Sequence, residues 1–174
     1  FCLALGDAAG AMDNLREALN RDANSPDRWL EACQLSSELN LWKDVDELGE
    51  SAGLRFPNLP VFPYFRGLAK LELNDDKGAE RQLKMARNLI VDRPEFESDV
   101  LATLAHIEHD RGNHAASDEW FEMALEAHPQ NILALNNYAY FLALRGAKPQ
   151  RAVELGARAV RLSPGNANFE DTFA

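Results

Sequence analysis

The sequence predicts an all-α protein built from stacked helix-turn-helix units, and three series of residues indicate this. Small residues recur in the second half of amphipathic segments, at spacings of 34, 34, 38 and 35 residues: Ala18, Ala52, Ala86, Ala124 and Ala159. Residues that tolerate positive φ recur between the segments: Gly6, Asn40, Asn74, Gly112 and Gly146. Proline closes three of the units, at Pro57, Pro129 and Pro164. A fixed period of this length indicates a helical repeat array, because one helix pair cannot bury its own apolar face.

The units follow one another along the whole chain of 174 residues. We expect one array over 1–174, with these parts in order: a partial repeat at 1–25, repeats at 26–59, 60–97, 98–131 and 132–166, and the start of a further repeat at 167–174. Extra residues in VDRPEFE, from Val91 to Glu97, make that segment the expected irregularity. Because the chain begins with Phe1 and FCLALGD is typical of the end of a helix, we expect it to be a piece of a longer protein.

Within this frame the sequence resembles the tetratricopeptide repeat (TPR) family over essentially its whole length. The matching positions are Trp29, Ala52 and Pro57, then Gly67, Ala79, Leu83 and Ala86, then Leu101, Leu104, Ala105, Phe121, Ala124 and Pro129, then Leu135, Tyr138, Ala139, Ala152, Ala159 and Pro164. The resemblance implies a right-handed α-α superhelix, a solenoid whose first helices line a concave groove. Arg66, Lys70, Gly49 and Gly156 depart from the apolar residues usual in the family, so we expect looser packing there.

The resemblance also implies where a partner would bind, because exposed positions of the first helices face the groove. Residues spaced i, i+3, i+4 and i+7 share one face of a helix. Aromatic side chains offer a large contact area, and amides can bind a peptide backbone. We therefore predict a partner-binding groove formed by Tyr64, Phe65, Leu68, Thr103, His106, Asn136, Asn137 and Tyr140.

Catalytic, metal and redox functions find little support in the sequence. It has no GxSxG, HExxH, GxxxxGK[ST] or GxGxxG motif, so we predict no enzyme activity, no catalytic residue and no cofactor. His106 and His109, one helical turn apart, could share a metal with Asp110 or Asp99, but without a further His or Cys nearby we expect no metal site. The two cysteines, at positions 2 and 33, are expected to be small packing residues.

Charge restricts the partners. Lys and Arg total 18 against 28 for Asp and Glu, giving a formal charge of -10. This excess favours a cationic or neutral protein or peptide over a free C-terminal carboxylate, and it disfavours nucleic acid. The sequence contains no stretch of 18 consecutive apolar residues, so it predicts no membrane span.

Three functional classes stay open at this stage. The first is a peptide-binding or protein-binding module acting as scaffold or adaptor. The second is a substrate-recruiting or targeting segment of a larger enzyme, and the third is a self-assembling envelope scaffold, with which a homo-oligomer is compatible. The last repeats resemble those of bacterial multi-repeat proteins, and both the bacterial cytoplasm and the periplasm or envelope remain open as compartments.

Overall fold

Eight helices follow one another over residues 22–163 in a computed structural model, which also describes Gly10, Asn14, Glu17 and Leu19. The helices are α1 (Pro26–Glu38), α2 (Trp42–Arg55), α3 (Val61–Glu72), α4 (Asp76–Leu89), α5 (Pro94–Asp110), α6 (His114–Ala127), α7 (Ile132–Leu144) and α8 (Pro149–Leu162). No strand occurs among these residues, so the predicted all-α class is confirmed. Each odd-numbered helix packs on the even-numbered helix that follows it, which gives four pairs.

A left-handed residue ends the first helix of every pair, as the repeat spacing predicts. Asn40, Asn74, Gly112 and Gly146 have φ values of 57°, 61°, 78° and 61°. Around Asn40, the N–H of Asn40 donates to the carbonyl of Ser37, and the N–H of Leu41 donates to that of Ser36. The other three turns repeat this pair of bonds, which satisfies the last carbonyls of the helix. Gly6 lies outside the described residues.

The small residues of the second helices are packing residues. Ala52, Ala86, Ala124 and Ala159 are each 0% exposed, which confirms the repeat register over the described pairs. Ala18 lies outside the described residues. A side chain larger than alanine at these positions would occupy space that the facing helix already fills.

The chain divides into two compact units, residues 1–89 and 90–174. In the first unit, α1, α2 and α3 contribute to a core that includes Trp29, Val45 and Phe62. In the second, α5 to α8 enclose a core in which the rings of Phe121 and Tyr138 stack with centroids 5.1 Å apart. The predicted repeat boundaries stay predictions, and positions 1–9 and 164–174 lie outside the described residues.

Helix α5 is the longest of the eight, with 17 residues against 12 to 14 in the others. It begins at Pro94, so the last four residues of VDRPEFE form its first turn. Asp92, one of the three residues of this segment that precede the helix, has a φ of 51°. None of the described helices combines the length and the apolar character needed to cross a membrane.

Candidate functional site

Three predicted site residues lie on α3 in the first unit, and the structure separates them by burial. Phe65 is 9% exposed and belongs to the same core as Phe62. The prediction that Phe65 offers a binding surface is therefore corrected, because its ring is used in packing. Tyr64, whose ring meets that of Phe65 edge-on at 6.1 Å, and Leu68 are both half-buried.

Three of the positions that depart from the family pattern, Arg66, Lys70 and Gly49, are not loosely packed as we expected, and Gly156 stays a prediction. The side chain of Arg66 donates to Asp46 at 2.9 Å, and Lys70 donates to the other oxygen of the same carboxylate at 3.0 Å. These two bonds hold the pKa of Asp46 below its usual value against the opposing effect of burial. A Cβ at Gly49 would lie 2.7 Å from Cγ of Arg66, so the arginine side chain occupies the space that glycine leaves. The larger side chain on α3 compensates for the missing one on α2.

Helices α5 and α7 of the second unit lie side by side and run in the same direction. At their beginnings, the amide nitrogen of Asn131, the residue before α7, donates to Asp99 at 2.8 Å. Toward their ends, the rings of His106 and His109 contact the ring of Phe141. The two helices are therefore in contact near both their beginnings and their ends.

One row of α7 exposes apolar side chains. We call the α7 row Leu133, Asn137, Tyr140 and Leu144, which follow the spacing of one helix face. Leu133 is 61% exposed, Tyr140 47% and Leu144 64%. Asn137 and its neighbour Asn136 are half-buried. Thus Asn136, Asn137 and Tyr140, three of the predicted site residues, lie together and are accessible.

The corresponding row of α5 is polar. We call the α5 row Asp99, Thr103, His106 and Asp110. The Thr103 hydroxyl donates to the Asp99 carbonyl of its own helix at 2.8 Å, which leaves its methyl group to the surface. Nε2 of His106 lies 3.2 Å from Asp110, and both side chains are about half exposed, at 46% and 57%. His106 contacts Phe141 of α7, and Thr103 lies one turn before it on α5; the role of both in binding stays a prediction.

His109 of α5 packs against Phe141 of α7 and is half-buried. Its ring stacks on Phe141 with centroids 3.6 Å apart and an interplanar angle of 8°. Its Nδ1 is buried without a hydrogen-bond partner. Burial lowers the pKa of His109, and the nearby His114 and Arg145 lower it further, with Asp110 acting in the opposite sense. The lowered pKa favours the neutral imidazole at neutral pH.

The histidines and Cys33 are the described side chains whose chemistry suits metal binding or redox reactions. Within the described part of the chain, no group of three or more His, Cys, Asp or Glu side chains is placed to hold a metal. Cys33 is 0% exposed, and burial raises the pKa of its thiol to about 12. A thiol with that pKa carries almost no thiolate at neutral pH, so it is unsuited to nucleophilic or redox chemistry. Cys2 lies outside the described residues.

A buried hydrogen-bond network that the sequence did not reveal supports this face. The Asn131 side chain accepts from the N–H of Ala134 and donates to the Ser98 hydroxyl at 2.9 Å. Ser98 in turn donates to the carbonyl of Ala124 at 2.7 Å. This network joins α5, α6 and α7 and sets the alignment of the two rows. The HPQN sequence before α7, with asparagine at the N-cap, was the signal that could have indicated it.

Helix α6 of the same unit presents a different, acidic surface. A shallow hollow of about 650 Å³ there is lined by carboxylates together with Met123 and Lys148. Asp118 binds Arg145 at 2.6 Å and Lys148 at 2.8 Å, which holds the pKa of Asp118 below its usual value despite burial. Glu122 binds Arg151. These carboxylates tie α6 to the following repeat, as Asp46 and its arginine and lysine partners do in the first unit.

Comparison with known proteins identifies the fold. No protein-family model matches the sequence, and no curated protein matches it. Among solved structures, MamA superposes with a TM-score of 0.70 at 20% identity, covering 90% of this chain and 89% of MamA. The thermophilic TPR protein TTC0263 of Thermus thermophilus gives 0.78 at 16% identity, covering 98% and 90%. YrrB, described as a TPR protein with an unusual peptide-binding site, gives 0.64 at 16% identity, covering 95% and 82%. The chain therefore has the fold of a TPR helical repeat array.

Proposed function

We propose that this chain is a non-catalytic protein-interaction module that acts as scaffold or adaptor and binds a peptide or protein segment on the exposed faces of its first helices. The observation that carries the proposal is the α7 row, where three large apolar side chains are between 47% and 64% exposed on one helix face. Exposed apolar surface that is contiguous and bordered by polar groups is typical of protein-binding sites. A solved structure of the same fold is described as having a peptide-binding site, so the fold is compatible with this role.

The surroundings of the α7 row support binding over catalysis. Tyr140 supplies an aromatic ring with a polar tip, and Asn136 and Asn137 supply amide donors and acceptors beside it. These groups can anchor a side chain and hydrogen-bond a backbone without any chemical step. His106 of the α5 row contacts Phe141 of the same helix α7, and in the first unit Tyr64 and Leu68 are the corresponding half-buried residues.

The test is affinity capture with three variants of equal thermal stability. The first, Asn137→Ala with Tyr140→Ala, removes the centre of the α7 row, and the second, Tyr64→Ala with Leu68→Ala, alters α3. The control is Val153→Ala, which shortens an apolar side chain that is 59% exposed on α8. We expect wild type and control to recover the same partners and the first variant to lose them, since truncating an interface hot spot costs about 2 kcal/mol or more. Equal recovery by all of them would contradict the proposal.

A further inference from the structure

Helix α7 is largely apolar, although one side of it is open. No charged residue occurs anywhere between Ile132 and Leu144, and the only amides are Asn136 and Asn137. Large apolar side chains on a helix are normally covered by packing. Within residues 22–163, the neighbouring helices of the same unit cover the other sides of α7, and Leu133, Tyr140 and Leu144 have no cover. Exposed apolar surface of this kind is typical of a place where another molecule packs.

The spacing of the row indicates the conformation of the molecule that covers it. Leu133, Tyr140 and Leu144 are separated by seven and then four residues, which corresponds to about 10 Å and about 6 Å along the helix axis. A second helix lying along α7 repeats the same seven-and-four rhythm, so its apolar side chains meet all three. An extended strand places side chains on one face every 7 Å or so and cannot match the longer step.

Charge beside the row indicates the composition of that helix. Asp110 is the final residue of α5, where the helix dipole disfavours a carboxylate. Among the described residues, the Asp110 carboxylate forms an ion pair with His106 and with no lysine or arginine. Because α5 and α7 run in the same direction, the negative ends of both helix dipoles lie near this carboxylate. Arg145, next to Leu144, is 14% exposed and is bound to Asp118, so it does not offset this charge.

We propose that the α5 and α7 rows bind a basic amphipathic helix of another protein, whose apolar side chains cover Leu133, Tyr140 and Leu144 and whose lysine or arginine pairs with Asp110. The inference rests on the proposed function and adds the conformation and charge of the partner. Complementary charge sets the partner's orientation and its rate of association, and the apolar row supplies most of the affinity.

Selection from a random library of 16-residue peptides tests the inference without knowledge of the natural partner. Peptides are selected on wild type and counter-selected on a Leu133→Ala, Tyr140→Ala, Leu144→Ala variant of equal thermal stability. We expect the survivors to share apolar residues at i, i+4, i+7 and i+11, to carry lysine or arginine, and to become helical when bound. Survivors that are extended, proline-rich or acidic would overturn this inference and leave the proposed function standing. An absence of any peptide that distinguishes the two proteins would overturn both.

A matched pair of charge variants then tests the role of Asp110. With a fluorescein-labelled peptide from the selection, Asp110→Asn should weaken binding about threefold to tenfold and reduce its dependence on sodium chloride. Glu126→Gln is the control, because it removes the same charge from an exposed position on α6. Equal effects of the two substitutions would mean that only the net charge of -10 attracts the peptide, which contradicts a specific role for Asp110.

Sedimentation measurements test the alternative in which a second copy of the chain, and not another protein, covers the α7 row. We expect wild type to remain monomeric at concentrations at which it binds the selected peptide. A concentration-dependent dimer that disappears in the Leu133→Ala, Tyr140→Ala, Leu144→Ala variant would show that self-association covers the row and would overturn the inference.

Discussion

Replacing Asn131 by alanine should destabilise the second unit by about 2 to 4 kcal/mol, because its side chain makes three hydrogen bonds at the junction of α5, α6 and α7. The N-cap bond to the N–H of Ala134 contributes about 1 kcal/mol. The bond donated to the half-buried Asp99 carboxylate contributes about 1.5 to 3 kcal/mol, and water recovers part of this in the variant. The third bond, donated to Ser98, is fully buried and is not replaced by water.

Asn131→Asp separates these contributions, because aspartate keeps the cap and loses both donors. It also places a second carboxylate beside Asp99, whose pKa burial already raises. Loss of the amide donor and the added negative charge raise the pKa of Asp99 further in the native state, so the native state binds more protons than the unfolded state between the ordinary and the raised pKa. The sign follows: the free energy of unfolding of this variant falls as the pH rises through that window and recovers on acidification.

Urea unfolding at about pH 5 and about pH 7.5, followed by far-ultraviolet circular dichroism and by tryptophan fluorescence in a background with Trp29 and Trp42 replaced by phenylalanine, measures both effects. Gln130→Ala, an exposed neighbouring position, is the control and should change the free energy of unfolding by less than about 0.5 kcal/mol. A loss below about 1 kcal/mol in Asn131→Ala, or an Asn131→Asp variant as stable as wild type at the higher pH, would refute the proposed contribution of the network.

Three further predictions concern single substitutions, and a fourth concerns metal content. Ala124→Leu should cost about 1 to 3 kcal/mol in thermal melting, because a 0% exposed site must accept three more carbons. Gly67→Ala should also lower the melting temperature, since its Cβ would lie 2.7 Å from Cγ of the fully buried Leu83; an unchanged midpoint would mean that Leu83 moves freely. The pKa of His109 is lowered from 6.5, so its contribution to stability is present above that pH and is lost as the pH falls, and His109→Phe should remove this slope from a series of urea midpoints. Elemental analysis of untagged protein should find no stoichiometric zinc; zinc that disappears in a His106→Ala, His109→Ala variant would contradict this expectation.

The repeat period was enough to predict the helix pairs and their turns. Asn40, Asn74, Gly112 and Gly146 are left-handed because each ends a first helix with the same pair of backbone hydrogen bonds. That requirement is local, so a single sequence reveals it. The buried alanines were predicted for a similar reason, since every pair needs a small residue where its helices touch.

The site was predicted less completely, because exposure depends on neighbouring helices. Helical spacing placed Tyr64 and Phe65 on one surface, yet Phe65 is only 9% exposed, since it packs in the core with Phe62. The sequence likewise indicated a defect at Gly49, and the structure shows Arg66 from the next helix filling it. Contacts between residues far apart in sequence, such as Asn131 with Ser98, follow from the alignment of repeats and not from local pattern.

Site-specific photo-crosslinking measures most directly whether the first-helix face is the binding surface. A photoreactive phenylalanine analogue replaces Tyr140 of the α7 row in one protein and Met123, which is 36% exposed on α6, in another. Both are irradiated in an extract from which wild type recovers its partner. We predict that the partner is crosslinked from position 140 and not from position 123. Crosslinking from position 123 alone would place the partner on the acidic surface of α6 and would contradict the account.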